Sequence, residues 1–162
     1  MAFTHRRIVT GLNDEGKSCV VSDKTLNQIP ACQGVPAVIW KTDDYPVSNL
    51  GNEEAAVPFG TDTFSSSTFF LLFSPSGSDA PSAWHTTDTI DYVIVLSGKV
   101  LLELETGSVE LKTGDLIIDR GVKHSWRDIG DEPATLLAAV IRAAPLGAGA
   151  SFGDNFDQYI KG

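Results

Sequence analysis

Cysteine is nearly absent from this chain. Cys19 and Cys32 are the only two, with no Cys-x-x-Cys pair, so neither a disulfide framework nor a thiolate metal site is supported. Each reads as a small buried thiol, and the default setting is reducing and cytoplasmic. Positive charge is also short: 12 Lys and Arg stand against 21 Asp and Glu, a net charge of −9. That balance argues against nucleic acid and anionic membrane as partners, because both need basic surface. No apolar run approaches the roughly 20 residues that cross a bilayer. The opening Met-Ala-Phe-Thr-His-Arg-Arg lacks the apolar core of a secretory signal. There is no Gly-x-Gly-x-x-Gly after a strand, no phosphate-binding loop, no His-Glu-x-x-His and no Gly-x-Ser-x-Gly. Dinucleotide, ATP, zincin and hydrolase-elbow chemistry lose their usual carriers.

Helical periodicity is missing as well. What is present is a series of short β-rich runs separated by turn signals. Residues 6–10 and 17–22 read as strands joined at Asn13-Asp14-Glu15-Gly16, and 23–36 reads mostly as loop. Residues 37–41 are a short strand. Thr68-Phe69-Phe70-Leu71-Leu72-Phe73 is apolar on both faces, as a buried strand should be. Further strands are expected over 90–96, 99–105, around 109–111, over 116–118, 122–127 and 135–142. Such a pattern specifies an all-β sandwich or barrel without choosing between them. At 162 residues one domain is expected. Residues 43–66 have no periodicity; a surface excursion or subunit contact is the favoured reading, and a lid over a barrel mouth the alternative. The tail from Phe152 reads as a short helix or an arm that packs Phe156 and Tyr159 elsewhere.

Chemistry concentrates between Trp84 and Asp128. Two of three histidines lie there, in Trp84-His85-Thr86-Thr87-Asp88-Thr89-Ile90-Asp91 and in Asp119-Arg120-Gly121-Val122-Lys123-His124-Ser125-Trp126. Side chains two apart on a strand share a face, so a regular strand would align His85, Thr87 and Asp91, and another would align His124 with Trp126. If the two faces meet inside the fold, two imidazoles and a carboxylate converge. Such a set can bind a divalent metal or move protons without one. Taken singly, each has a plainer reading: a histidine satisfied at a strand start, a carboxylate capping backbone at a rim, a core tryptophan, a surface arginine.

These residues resemble the two motifs of the cupin superfamily. His85 and Gly98 match the first motif. Asp91 stands where the family has glutamate, and Thr87 where it has a second histidine. Gly114 and His124 match the second motif, with Arg120-Gly121 replacing the usual proline-containing turn. The likeness is greatest to small single-domain cupins with His-x-Thr-x-Thr-x-Asp-Tyr and Arg-Gly-x-x-His stretches. It implies a jelly-roll β-barrel (double-stranded β-helix) over residues 1–162, with the core barrel at about 67–143, N-terminal strands and a short C-terminal tail. His85, Asp91 and His124 are then the expected catalytic groups, and the expected ligands of one divalent metal (zinc, iron, manganese or nickel). A metal-free site is an equal expectation, since the ligand set is incomplete. Thr87, Trp84, Trp126, Arg120 and Arg127 are candidates for binding substrate, the arginines by clamping a carboxylate. The expected function is lyase or isomerase chemistry on a small organic acid or polyketide-like metabolite: dehydration, isomerisation or decarboxylation. A metal-dependent dioxygenase and a non-catalytic small-molecule binder are the alternatives. A homodimer is the expected assembly.

Overall fold

The computed structural model describes residues 3–156, and the expected Tyr159 contact lies outside them. Twelve strands form in the described residues: β1 (Arg6–Leu12), β2 (Ser18–Thr25), β3 (Ala37–Thr42), β4 (Thr68–Phe73), β5 (His85–Thr86), β6 (Thr89–Ser97), β7 (Lys99–Leu104), β8 (Gly107–Lys112), β9 (Leu116–Asp119), β10 (His124–Asp128), β11 (Thr135–Arg142) and β12 (Ser151–Phe152). Short 3-10 turns occur at Leu26–Gln28, Pro30–Cys32 and Thr61–Ser65. The first two occupy part of the stretch read as loop.

One five-stranded sheet runs β12-β5-β10-β7-β8 and the other β3-β4-β11-β6-β9. Every pairing between these strands is antiparallel. This is the all-β jelly roll that the resemblance implies. Alternation along the strands explains why the sheets stack. On β6, Thr89, Val93 and Val95 are buried, while Tyr92 between them is 49% exposed. On β11, Leu136, Ala138 and Val140 point inward together. They meet Val100, Leu102 and Trp126 of the other sheet in one continuous core. Gly98 makes the β6–β7 turn possible: its φ is +81°, and an added Cβ would lie 2.6 Å from the Ala134 Cα.

A second cluster covers part of the outer face of the β3–β4 sheet. Phe3, Leu26, Ile29 and Cys32 pack there on Ala37 and Leu72. β1 and β2 form a separate two-stranded hairpin. Arg7 ties it to the rest of the molecule through paired bonds to Glu54 at 2.7 and 2.6 Å and one to the Ile39 carbonyl. That ion pair, together with a bridge between Val57 and Val38, pins the long 43–66 segment along the molecule. Among the described residues no helix is long and apolar enough to cross a membrane.

Candidate functional site

Pairing of β5 with β10 within one sheet brings the separated histidines together. His85 on β5 and His124 on β10 are direct cross-strand partners, with ring centroids 4.2 Å apart. Each Nδ1 lies 2.8 Å from a backbone carbonyl two residues earlier, Ala83 for His85 and Val122 for His124. A carbonyl oxygen only accepts, so in both rings Nδ1 carries the proton and Nε2 keeps a lone pair. The local sequence supplies this arrangement: the turn ahead of each strand turns a carbonyl back to the ring.

His85, Thr87, Asp91, His124 and Trp126 all line one cavity of about 40 Å³ between the sheets. The strand is not regular from His85 to Asp91, since β5 ends at Thr86 and β6 begins at Thr89. The three side chains nevertheless share the cavity. Burial and the neighbouring His124 push the His85 pKa down to about 3. Burial, reinforced by the Asp119 carboxyl, pushes Asp91 up to about 7, while the Thr89 hydroxyl works the other way. Asp91 Oδ1 is buried without a hydrogen-bond partner. Thr87 is also buried, and its hydroxyl oxygen accepts a 2.7 Å bond from Thr89.

Three features of the site go beyond the residues named as candidates. The first is Asp119, directly across from Asp91 on β9. Its Oδ2 lies 3.1 Å from His124 Nδ1, and its Oδ1 accepts from the Gly121 amide at 3.0 Å. Burial raises its pKa, with His124 opposing. A Cβ on Gly121, whose φ is +68°, would run into the Thr87 carbonyl, so this turn fits closely against the site. The second is the long segment: residues 43–54 are an exposed excursion, as the favoured reading has it, but Phe59 and Phe64 further along form cavity wall. The third is the tail, where Phe156 is 2% exposed and sits 4.7 Å from the His85 ring. Phe152 lies 4.6 Å from Phe156, and Phe64 5.5 Å from Phe152, which closes an aromatic cap over His85.

The remaining candidates lie elsewhere. Trp84 does not line this cavity; Lys123 Nζ stands 5.9 Å from its ring on another face. Arg120 is exposed. Arg127 donates to the Ser78 and Ala80 carbonyls, to Ser82 and to Glu103, pointing away from the cavity because its neighbour Trp126 points in. Neither arginine is placed to clamp a molecule held there.

Among the described residues no group of three or more His, Cys, Asp or Glu side chains is arranged to hold a metal ion. Two imidazole Nε2 atoms and the Asp91 carboxyl are donor types that a divalent metal takes, whereas the Thr87 hydroxyl, standing where a third imidazole would complete the set, is neutral and bonded to Thr89. The chemistry below is assigned to the protein's own groups.

Known proteins resemble this chain over limited stretches. Forty-six residues, 28% of this chain and 26% of the relative, are 44% identical to the oryzines biosynthesis cluster protein J of Aspergillus oryzae. Forty-eight residues, 29% of this chain and 25% of the relative, are 44% identical to the phomopsin biosynthesis cluster protein D of Diaporthe leptostromiformis. The matches thus span about a quarter of those relatives' lengths. The cupin domain of Schizosaccharomyces pombe Cnp3 superposes with a TM-score of 0.50 at 18% identity, over 85% of this chain and 83% of that one. At that identity the likeness speaks to fold alone. Residues 69–140 match the family model for the cupin domain. With both sequence motifs on the strands of a two-sheet jelly roll, this chain contains a domain of the cupin superfamily.

Proposed function

We propose that the chain is an enzyme that moves protons on a small molecule held between the sheets, with dehydration or isomerisation as its reaction class. One observation carries this reading: His85, Asp91 and His124 line one cavity where Asp91 Oδ1 has no hydrogen-bond partner within the protein. Buried polar groups are normally paired, and one that is not is a candidate for pairing with a substrate. The names of the two fungal relatives, drawn from biosynthesis clusters, fit a role in making a small metabolite.

The roles divide by environment. A carboxyl with a pKa near neutrality can both give and take a proton at working pH, which suits Asp91 as general acid. His124 is the better base of the two rings, because Asp119 stands beside its Nδ1 to stabilise the imidazolium that forms when Nε2 takes a proton. His85 stays neutral down to about pH 3 and serves as a hydrogen-bond acceptor that orients the substrate. In a dehydration, His124 Nε2 removes the proton from the carbon next to a carbonyl and the electron pair forms the new double bond. The hydroxyl on the neighbouring carbon leaves as water with the Asp91 proton. In an isomerisation, the proton taken from one carbon returns to another.

The reading is tested by following deuterium uptake from D2O into β-hydroxy and enolisable ketones. Wild type should exchange the proton next to the carbonyl. Asp91→Asn and His124→Ala should each slow this by about 10²-fold or more, the usual contribution of a positioned acid or base. Unchanged exchange in both variants refutes the assignment, and tight binding without exchange indicates a binding protein.

A further inference from the structure

The proposed site also constrains what it can hold, and this inference rests on that reading. We propose that the cavity takes an uncharged, flat, mainly apolar molecule that presents a hydroxyl or enol proton, and that it rejects carboxylates.

The lining chemistry argues for it on two counts. First, no Lys or Arg among the described residues lines the cavity. Arg127 is bonded to carbonyls and to Glu103 on the other side of its strand, Arg7 is held by Glu54, and Lys123 is paired with Glu105. A carboxylate ligand would therefore lose its water with no cation to replace it, beside the buried carboxyls of Asp91 and Asp119, and burying an unpaired charge is among the most unfavourable events in a protein interior. Second, the polar atoms on offer are mostly acceptors: the Nε2 lone pairs of His85 and His124, beside the single Asp91 carboxyl. Acceptors select for ligands that donate, because a ligand without a proton to give leaves them unsatisfied.

Shape follows from the cap. A cavity of about 40 Å³ holds on the order of three waters, not a metabolite. Any larger occupant has to take the place of a ring. Phe156 is the ring to replace: it sits 4.7 Å from His85 and is carried on the segment beyond the two-residue β12. A planar ring of similar size would inherit its contacts with His85, Phe152 and Phe64.

Three probes of one size separate the terms: phenol, anisole and benzoate, titrated into wild type and Phe156→Ala at pH 7.5. Binding is read from the ring C–H NMR signals of the three histidines, with exposed His5 as the internal control. Phenol should shift His85 and His124 but not His5, more tightly in Phe156→Ala than in wild type. Anisole, which lacks the proton, and benzoate, which carries charge, should each bind at least about tenfold more weakly than phenol. Benzoate or anisole binding as well as phenol overturns the ligand class and leaves the proton-transfer site intact. No shift of His85 or His124 with any probe, in either protein, overturns both.

Discussion

The interior between the sheets has two ends built to opposite rules, and strand β6 runs through both. Towards its C-terminal end, Val95 packs with Val100, Ala134 and Leu136, each at most 1% exposed. This end is apolar and closed by the tight turn at Gly98. Towards its N-terminal end, the same inward face carries Thr89 and Asp91, opposite Asp119 and near His124. The first end is what stable packing looks like: dense, without charge, and with nothing left over. The second buries ionisable groups and leaves two carboxyl oxygens, Asp91 Oδ1 and Asp119 Oδ2, without hydrogen-bond partners. A single strand that could have continued as valines instead turns polar where the cavity begins. Stability alone gives no reason for that change.

The sharpest way to break this contrast is to truncate one side chain at each end. Leu136→Ala should cost about 2–5 kcal/mol, the range for a fully buried leucine whose neighbours cannot close the gap. Asp91→Asn should behave oppositely at pH 8. There the buried carboxyl is ionised, and a neutral amide of the same shape should be neutral or stabilising by up to about 3 kcal/mol. Urea denaturation of both variants measures the difference. Comparable losses from the two substitutions would mean that the polar end is as structural as the apolar one.

The apolar end was the more legible in the sequence. Thr68–Phe73 and Thr135–Arg142 announce themselves by composition, and alternation correctly sends Tyr92 away from the cavity face. His85 and His124 stood out because glycine- and turn-rich sequence surrounds them in a pattern resembling a known family. Asp119 did not. It closes a four-residue strand just before Arg120-Gly121, where an aspartate reads as a turn residue, and in part it is one, since it accepts from the Gly121 amide. Its second role needs β9 to pair with β6, a long-range fact that no local window contains. Phe59 and Phe64 were hidden for the same reason, and the packing of Phe156 was expected without its place: irregular segments have no period, so their aromatic side chains carry no directional signal. Arg120 and Arg127 were drawn in by proximity to His124 in sequence, yet Arg120 lies in the turn between β9 and β10, and Arg127, an odd number of residues from His124 on β10, faces the other way.

pH tests the polar end more finely. Asp91 titrates near 7 in the folded protein against an ordinary 3.8, so the folded state binds the extra proton between those values. Its contribution is therefore full below about pH 4 and is lost as pH rises through 7. His85 titrates near 3 against an ordinary 6.5, so the unfolded state binds the extra proton there, and stability is lost as pH falls from 6.5 towards 3. Between pH 4 and 6.5 the two slopes oppose each other, and their sum should be nearly flat. Asp91→Asn should unmask the histidine, giving stability that rises with pH by up to about 1.4 kcal/mol per unit. His85→Gln should unmask the carboxyl and give the reverse slope. Denaturant midpoints across this window decide the matter. Variants whose pH profiles match wild type would show that the two groups are not buried as their geometry implies.

The smallest expected effect separates the satisfied polar groups from the unsatisfied one. Thr87 and Thr89 are both buried, but they are bonded to each other, unlike Asp91 Oδ1. Thr87→Val keeps the shape and removes that acceptor, leaving Asp91, on which the Thr89 hydroxyl already acts, as the remaining partner for that hydroxyl. The cost should be about 1 kcal/mol, the net worth of one ordinary hydrogen bond, and the apparent pKa of Asp91 should fall as the Thr89 hydroxyl is no longer shared. Carbon-13 NMR of the Asp91 carboxyl follows the second effect, and thermal unfolding the first. A loss well above about 2 kcal/mol, or an Asp91 titration that does not move, would mean that Thr87 works on its own account and not as the partner that keeps Thr89 occupied. The line between filler and working group at this end of the strand would then have to be redrawn one residue pair earlier.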